Sequence, residues 1–308
     1  MTKRQIKDIA TSVRQRLLNN ARATDRPFQE VLQYFAMERF LYRLAQSRYA
    51  DTFVLKGALM LTVWRAPATR PTKDIDLLAR MDNNVEAVTA VIRHVCEQDV
   101  EPDGLVFDVR SVRGMVIKEE ADYEGVRIAL LGKLQNARLS MQIDVGFGDV
   151  IVPSASIAQY PTILDMAPPK LYGYSRETTV AEKFEALVKL GQLNSRMKDY
   201  FDIWLLSRRF DFDGLTLAKA IESTFANRGT TVAKEPVGLT PAFASDRTKQ
   251  AQWNAFLRKL RSDLATLDLE QVIETMADFL RPVAEAVRKR QEFDFFWQAP
   301  GPWKRGPD

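Results

Sequence analysis

The chain has very little of the residue chemistry that many hydrolytic and zinc-dependent sites use. Its 308 residues include one cysteine and one histidine. A single cysteine excludes an internal disulfide framework, and a single histidine excludes a zinc site built from several histidines and leaves one candidate base for a serine–histidine–aspartate triad. We expect His94 and Cys96 to be packing residues of one helix, since a lone cysteine is usually structural. Any chemistry therefore falls to aspartate, glutamate, lysine and arginine.

Long apolar runs are also lacking. No run of eighteen apolar residues occurs, and the N-terminal stretch lacks the apolar centre of a signal peptide. The sequence therefore predicts a cytoplasmic protein with no membrane partner. With 46% hydrophobic and 27% charged residues, a chain of this length can bury one large core or two modest ones.

Positive charge is concentrated at the N-terminus. The formal net charge is only +4, but residues 1–26 hold seven lysines and arginines against two aspartates. A basic stretch of this kind either binds phosphates or is simply a solvated face. It makes a nucleic-acid partner admissible without requiring one.

Residue patterns divide the chain into four segments and predict an α+β fold, a mixed β-sheet core flanked by helices. Residues 1–50 show helical periodicity and are expected to pack on the core. Residues 51–168 contain short alternating runs typical of strands, interrupted by one helix over 84–97. Residues 169–292 are predicted to form a helical C-terminal domain, and residues 293–308 a coil tail rich in proline and glycine.

Two further predictions concern the C-terminal domain. Thr179 and Glu182 have the spacing of a capping box, which predicts a helix start at this point. Residues 227–247 are rich in proline, threonine and glycine and lack periodicity, which predicts a long surface loop.

Paired carboxylates are the main chemical signal. In the run KDIDLL, a strand would point Asp74 and Asp76 to one face, because successive side chains alternate. Adjacent carboxylates repel, and a divalent cation such as Mg²⁺, which prefers oxygen ligands and often takes nucleotide phosphates as well, relieves that repulsion. Asp144, in LSMQIDVGF, is a candidate third carboxylate, either for a second metal or to deprotonate a hydroxyl. An exposed strand face or a turn also produces two aspartates at this spacing, without any metal.

A small-residue pair precedes the aspartates. Gly57 and Ala58 follow the strand-like FVLK and precede the apolar run LMLTVW. A strand that meets a helix through glycine lets phosphate approach backbone N–H groups. Lys56 is placed to supply a positive charge at the same turn.

The order of these motifs resembles that of a known family. FVLKGALMLTVW, RPTKDIDLL, IDVGFGD, TVAEKFEALVKLG and RMKDYFDIWLL are similar to the successive motifs of the AbiEii/AbiGii nucleotidyltransferase toxins, within the DNA polymerase β-like nucleotidyltransferase superfamily. The resemblance covers residues 28–255. It implies a nucleotidyltransferase fold and a bacterial toxin of a toxin–antitoxin or phage-defence system, whose antitoxin is encoded separately. It also implies Mg²⁺, an NTP co-substrate, and transfer of NMP to RNA, in some members the tRNA 3′ end, which blocks translation.

The resemblance assigns roles to individual residues. It implies that Asp74 and Asp76 bind metal and that Asp144 matches the third acidic position. It also implies roles in catalysis for residues of the helical region and in nucleotide binding for residues around the glycine turn. The first group is Lys183, Asp199 and Asp202; the second is Lys56, Gly57, Ala58 and Thr72. Ala58 departs from the family pattern, which has serine or glycine at this position. Because alanine lacks the serine hydroxyl, the phosphate contact is left to backbone N–H groups, Lys56 or Thr72.

Other functions stay open on the residues alone. A nucleotidyltransferase with a small-molecule acceptor would share the motifs, and a nucleotide- or antitoxin-binding protein with a decayed site would also share most of them, Ala58 being its support. Without the resemblance, Lys183 is typical of a lysine lying along an amphipathic helix, and Asp199 with Asp202 of a solvated acidic edge.

Overall fold

The computed structural model of the protein describes residues 3–66, 70–119, 123–260 and 266–306, which form two compact units. We call Met1–Arg65, Thr72–Gly148 and Ser156–Gly173 the sheet unit, and Ala66–Pro71, Asp149–Ala155 and Tyr174–Asp308 the helical unit.

The sheet unit contains four helices and a seven-stranded sheet within its described residues. The helices are α1 (Lys3–Ala23), α2 (Phe28–Gln46), α3 (Ala58–Val63) and α4 (Val85–Glu97). The strands are β1 (Phe53–Lys56), β2 (Asp74–Ala79), β3 (Leu105–Glu119), β4 (Tyr123–Leu134), β5 (Ala137–Phe147), β6 (Ser156–Gln159) and β7 (Lys170–Gly173). Their order across the sheet is β3-β4-β5-β2-β1-β7-β6.

Strand pairing in this sheet is mixed. β2 pairs in parallel with β5, β1 in parallel with β7, and the remaining neighbours are antiparallel. The side chains of Ile75, Leu77, Ile143 and Val145 are buried on one face, against which helices α2 and α4 pack. The predicted α+β class with a mixed sheet flanked by helices is confirmed.

Helix α4 contains the one cysteine and the one histidine of the chain. It spans Val85–Glu97, and Asn84 caps it by accepting a hydrogen bond from the Ala87 N–H, as the 84–97 pattern predicted. Cys96 is buried, as expected, whereas His94 is exposed and stacks on Tyr49. The packing prediction for His94 is wrong because the apolar stripe of α4 passes through Val91, Ile92 and Val95 and leaves residue 94 on the outer side.

The buried helix α2 carries a charged network into the core of the sheet unit. Arg43 donates two hydrogen bonds to Asp103, at 2.6 and 3.0 Å, and Arg39 donates a third at 3.2 Å. Beside them, the fully buried Glu38 accepts a hydrogen bond from the Ile163 N–H at 2.8 Å. Burial raises the pKa of Glu38 to about 7, against the lowering effects of that hydrogen bond and of Arg39.

The helical unit contains six helices and a small sheet within its described residues. The helices are α5 (Arg176–Leu190), α6 (Met197–Arg209), α7 (Gly214–Asn227), α8 (Pro241–Ser245), α9 (Arg247–Leu257) and α10 (Leu269–Lys289). The strands β8 (Phe212–Asp213), β9 (Phe295–Trp297) and β10 (Trp303–Arg305) pair in the order β10-β9-β8. Across the residues described in both units, no helix is long and apolar enough to cross a membrane.

Helix α5 begins one turn earlier than the sequence predicts. Its cap is Ser175, whose hydroxyl accepts a hydrogen bond from the Thr178 N–H at 3.1 Å. Thr179 lies inside the first turn and donates to the Ser175 carbonyl. The predicted capping box is therefore wrong, and Glu182 instead accepts a hydrogen bond from the Tyr174 hydroxyl and pairs with Arg228 at 3.5 Å.

Two segments predicted as irregular are partly regular and buried. Within 227–247, α8 begins at Pro241 with Thr240 as its cap, and Leu239 and Phe243 are buried. In the tail, strand β9 buries Trp297, whose indole N–H donates to the Ser207 carbonyl at 2.6 Å. Proline and glycine predict coil, but tertiary burial of these aromatic and aliphatic side chains decides the structure.

Candidate functional site

The two aspartates of the central strand lie as the alternation predicts. Asp74 and Asp76 are half-buried on one face of β2, while Ile75 and Leu77 are buried on the other. Strand β2 lies between β5 and β1, so both carboxylates project from the middle of the sheet.

A row of four charged residues crosses the sheet at the level of Asp76. Lys56 on β1 is the antiparallel partner of Asp76, Asp76 is the parallel partner of Asp144, and Asp144 is the antiparallel partner of Arg127 on β4. Residues directly opposite each other in paired strands project to the same face. These four residues, which we call the charged row, place two carboxylates between two cations.

Arg127 holds the third predicted carboxylate. Its Nε and Nη2 donate to the two oxygens of Asp144, each at 2.8 Å, and the Gln142 amide donates to Asp144 Oδ2 at 3.2 Å. Arg127 is not among the residues that the sequence motifs indicate. A signal was present, because Arg127 is the charged residue between Val126 and Ile128 in an alternating strand.

The glycine turn makes room for Asp76. Gly57 lies between β1 and α3 with φ +69° and ψ −152°, a backbone conformation that is essentially restricted to glycine. A Cβ atom at this position would overlap the Asp76 carboxylate oxygen and lie 2.6 Å from Cγ and 2.8 Å from Cβ of Asp76. The predicted strand–glycine–helix turn is therefore present, and it is shaped around the Asp76 side chain.

Ala58 and Thr72, the two further residues that the resemblance assigns to nucleotide binding, lie at the start of α3 and just before β2. Ala58 is buried at the start of α3, so its methyl group packs inward. Thr72 precedes β2: its N–H donates to the Tyr34 hydroxyl at 3.1 Å, and its hydroxyl oxygen lies 3.4 Å from the backbone N of Asp74. Thr72 thus supports the start of the carboxylate strand.

The two aspartates of β2 fit a hard divalent cation. Mg²⁺ is typically held by one or two carboxylates together with waters and substrate phosphates. Asp74 and Asp76 can supply such a pair, and Gly57 leaves the space that the Asp76 carboxylate needs. Over the described ranges, no three histidine, cysteine, aspartate or glutamate side chains form a group that could hold a metal ion by themselves. The fit is therefore to an ion completed by a nucleotide rather than to a closed protein cage.

A second group of charged residues lies within the helical unit. Lys183 Nζ lies 2.6 Å from Asp199 Oδ1 and 2.9 Å from Asp202 Oδ2. Arg70 binds both oxygens of Asp202, at 2.9 and 3.0 Å, and Arg196 Nε lies 2.7 Å from Asp199. We call these five residues the Lys183 group.

The acids of the Lys183 group are buried, and Lys183 is nearly so. Asp199 and Asp202 are each 1% exposed, and the Lys183 side chain is 14% exposed. The alternative of a solvated acidic edge is therefore wrong. The motifs do not indicate Arg70 as a partner of Asp202, because it lies 132 residues before Asp202 in the connection ahead of Asp74. Arg196 lies only three residues before Asp199, so its spacing was a local signal.

Mutual attraction favours the ionised forms of Lys183, Asp199 and Asp202. Burial would lower the pKa of Lys183, but attraction by Asp199 and Asp202 outweighs it and raises that pKa. Burial would raise the pKa of Asp199, yet Lys183 and Arg196 hold it well below its usual range. Against the same effect of burial, Arg70 and Lys183 lower the pKa of Asp202.

Comparison with known proteins identifies the class and then the family. A mixed sheet with paired carboxylates beside a glycine turn suits nucleotidyl transfer, and the class is that of the nucleotidyltransferases. The family is AbiEii: residues 39–288 match the nucleotidyl transferase AbiEii toxin of type IV toxin–antitoxin systems, and the protein belongs to this family. The resemblance seen in the sequence is thereby confirmed. Membership makes the protein a toxin–antitoxin nucleotidyltransferase with a nucleotide substrate and an antitoxin partner.

Two solved structures from Helicobacter pylori are distantly similar. One, of a candidate nucleotidyltransferase, is 16% identical with a TM-score of 0.46 and covers 85% of this chain and 96% of its own. The other, JHP933, is 14% identical with a TM-score of 0.45 and covers 85% of this chain and 93% of its own. No curated protein matches the chain significantly. Likenesses this distant add nothing to the assignment of function.

Proposed function

We propose that the protein transfers NMP from an NTP to the 3′ end of tRNA in a Mg²⁺-dependent reaction and thereby blocks translation. The observation that supports this most is the glycine turn built around Asp76, on the strand that also carries Asp74. Glycine adopts this conformation without the steric cost that a side chain would bring, and here it leaves the space that the Asp76 carboxylate occupies. The family supplies the reaction class, and the RNA acceptor and the metal are the proposed parts.

In the proposed reaction, Asp74 and Asp76 hold the metal. When bound, Mg²⁺ supplies positive charge to the triphosphate and fixes its orientation. Lys56, opposite Asp76, stabilises the phosphates, together with backbone N–H groups of the Gly57 turn. Positioning and charge neutralisation are the main contributions of a protein to phosphoryl transfer.

The chemical step exchanges the phosphoanhydride bond between the α- and β-phosphates for a phosphodiester bond to the RNA. The terminal RNA hydroxyl oxygen attacks the α-phosphorus and forms the new P–O bond, while the bond to the β-phosphate oxygen breaks and pyrophosphate leaves. The hydroxyl proton passes to the Asp144 carboxylate or to water. Asp144 is adjacent to Asp76 across the parallel pair, which suits it to that role.

The Lys183 group has its own part in the proposal. The pKa of Lys183 is raised by Asp199 and Asp202, so its ammonium form is favoured, and a cation suits the binding of an anionic nucleotide. Asp199 and Asp202 fix the direction of its ammonium group. We assign the Lys183 group to nucleotide binding, and the Lys183→Met variant tests this role.

Labelling with each of the four NTPs tests the proposal. Purified protein is incubated with Mg²⁺, one α-labelled NTP, and either total RNA or a panel of small alcohols that includes aminoglycosides. We expect label at tRNA 3′ ends, read by sequencing those ends, and none with Asp76→Asn. Label on small alcohols alone would overturn the RNA acceptor in favour of the small-molecule alternative. Growth arrest that persists in both Asp76→Asn and Lys183→Met would overturn the catalytic basis of toxicity.

A further inference from the structure

Asp144 is already occupied in the structure. Both of its oxygens accept hydrogen bonds from Arg127, and one accepts another from Gln142. A bidentate arginine–carboxylate pair is geometrically specific, and with the Gln142 bond it takes three of the roughly four lone-pair sites of the carboxylate. Arg127 also balances the charge of Asp144, so Asp144 is a poor metal ligand in this arrangement.

The pair lies where it can be exchanged. The Arg127 side chain is 38% exposed and Asp144 is 11% exposed. Partly exposed ion pairs contribute little stability, so a competing cation can displace one partner. A metal ion held by Asp76 would lie beside Asp144, because Asp76 is the register partner of Asp144 in the parallel strand pair.

We propose that Arg127 is a positioning residue that withholds Asp144 from the divalent metal until the nucleotide binds. This rests on the proposed function. On binding of the metal and nucleotide, Asp144 exchanges the guanidinium for the metal or for the attacking hydroxyl, and Arg127 exchanges the carboxylate for a phosphate. Guanidinium binds phosphate in the same forked geometry in which it binds carboxylate, so each group regains a partner of opposite charge.

Metal binding to the nucleotide-free protein tests this without any activity measurement. The probe is Mn²⁺, titrated while the free ion is followed by electron paramagnetic resonance, with Mg²⁺ as competitor. Arg127→Gln releases Asp144, and we expect it to tighten Mn²⁺ binding about tenfold, because each added carboxylate ligand raises the affinity of a site for divalent cations. Asp144→Asn alone is expected to change Mn²⁺ affinity little.

The removal of a positive charge could tighten Mn²⁺ binding through the electrostatic field alone, so a double-mutant cycle is required. In the Asp144→Asn background, Arg127→Gln should give no gain. Arg138→Gln, six residues before Asp144 on β5 and about 20 Å away at the rise of a strand, removes the same charge and should also give none. Arg127→Lys keeps the charge but loses the fork, and should tighten binding partially.

Each outcome decides the matter. An equal gain in Mn²⁺ affinity from Arg127→Gln with and without Asp144→Asn would mean that Arg127 acts only through its electrostatic field, and would overturn the proposal. An Arg127→Gln variant that is folded, as checked by thermal unfolding, and shows no gain in Mn²⁺ affinity would also overturn it. Loss of Mn²⁺ binding in Asp76→Asn leaves the proposed metal site standing whatever Arg127 does. If Asp76→Asn binds Mn²⁺ as well as the wild type does, the proposed site itself is overturned.

Discussion

Gly57→Ala is the substitution whose effect the structure defines most sharply. Two costs arise at this position. The backbone at φ +69° and ψ −152° is strained for any residue with a side chain, which costs about 1–3 kcal/mol. The new methyl group would also overlap the Asp76 carboxylate and lie 2.8 Å from Asp76 Cβ. Rotation of the carboxylate relieves the first contact but not the second, so strand β2 or the turn must shift.

A shift of that kind displaces a metal-binding carboxylate. Misplacement of a catalytic group by about 1 Å typically lowers the rate about 100-fold. We therefore expect Gly57→Ala to lose roughly 100-fold in nucleotidyl transfer and to weaken Mn²⁺ binding in the absence of nucleotide. The measurements are single-turnover transfer from labelled NTP and the Mn²⁺ titration.

Gly191→Ala is the matched control. Gly191 also has a positive φ, +49°, but a Cβ there would meet no atom within 4 Å. It therefore carries backbone strain without the collision, and should lower the melting temperature while leaving the activity of the folded protein near that of the wild type. Gly57→Ala with near-wild-type activity, or Gly191→Ala with an equal loss, would refute the link between the turn and Asp76.

The remaining predictions concern buried charge. Lys183→Met leaves Asp199 and Asp202 with only their arginine partners. The free energy of unfolding should therefore fall by less than the roughly 3–5 kcal/mol that a fully unpaired buried charge costs. The variant should still melt at a lower temperature than Lys189→Met, a substitution at an exposed position of the same helix. Glu38 has a pKa raised by burial from 4.5 to about 7. The folded state therefore binds this proton more tightly than the unfolded state, and the free energy of unfolding should fall as the pH rises from about 4.5 to about 7. Glu38→Gln should remove that slope in urea denaturation across this range, and an unchanged slope would contradict the assignment.

Local alternation was sufficient to predict the carboxylate strand. Asp74 and Asp76 lie two residues apart in a strand, and a period of two places them on one face whatever the rest of the fold does. The turn at Gly57 was predictable for the same reason, because strand and helix patterns meet at a single glycine. Signals of this kind depend on a few consecutive residues.

The partners of these carboxylates could not be predicted in this way. The Asp76–Asp144 register joins positions 68 residues apart and depends on the strand order, in which β5 lies beside β2. The Arg70–Asp202 pair joins positions 132 residues apart. Long-range pairs of this kind leave little trace in local periodicity, so the sequence indicated Asp202 and Lys183 but not Arg70, which also binds Asp202. Residues 237–245 were missed for a different reason, since the Thr-Pro start of α8 is a helix signal that the surrounding loop composition obscured.

The pairing of the acidic residues changes how substitutions at this site must be interpreted. Asp144, Asp199 and Asp202 are each bound to at least one cationic side chain in the structure. Replacing such an aspartate by asparagine removes a candidate catalytic group and at the same time leaves an arginine or lysine without its counter-ion, which itself costs stability and can redirect that cation. A loss of activity in Asp→Asn variants alone therefore cannot separate a metal ligand from a neutralising partner. Cycles that remove the acid and its cation together can separate them, because a purely neutralising pair is replaced at little cost, whereas a ligand stays irreplaceable in either background.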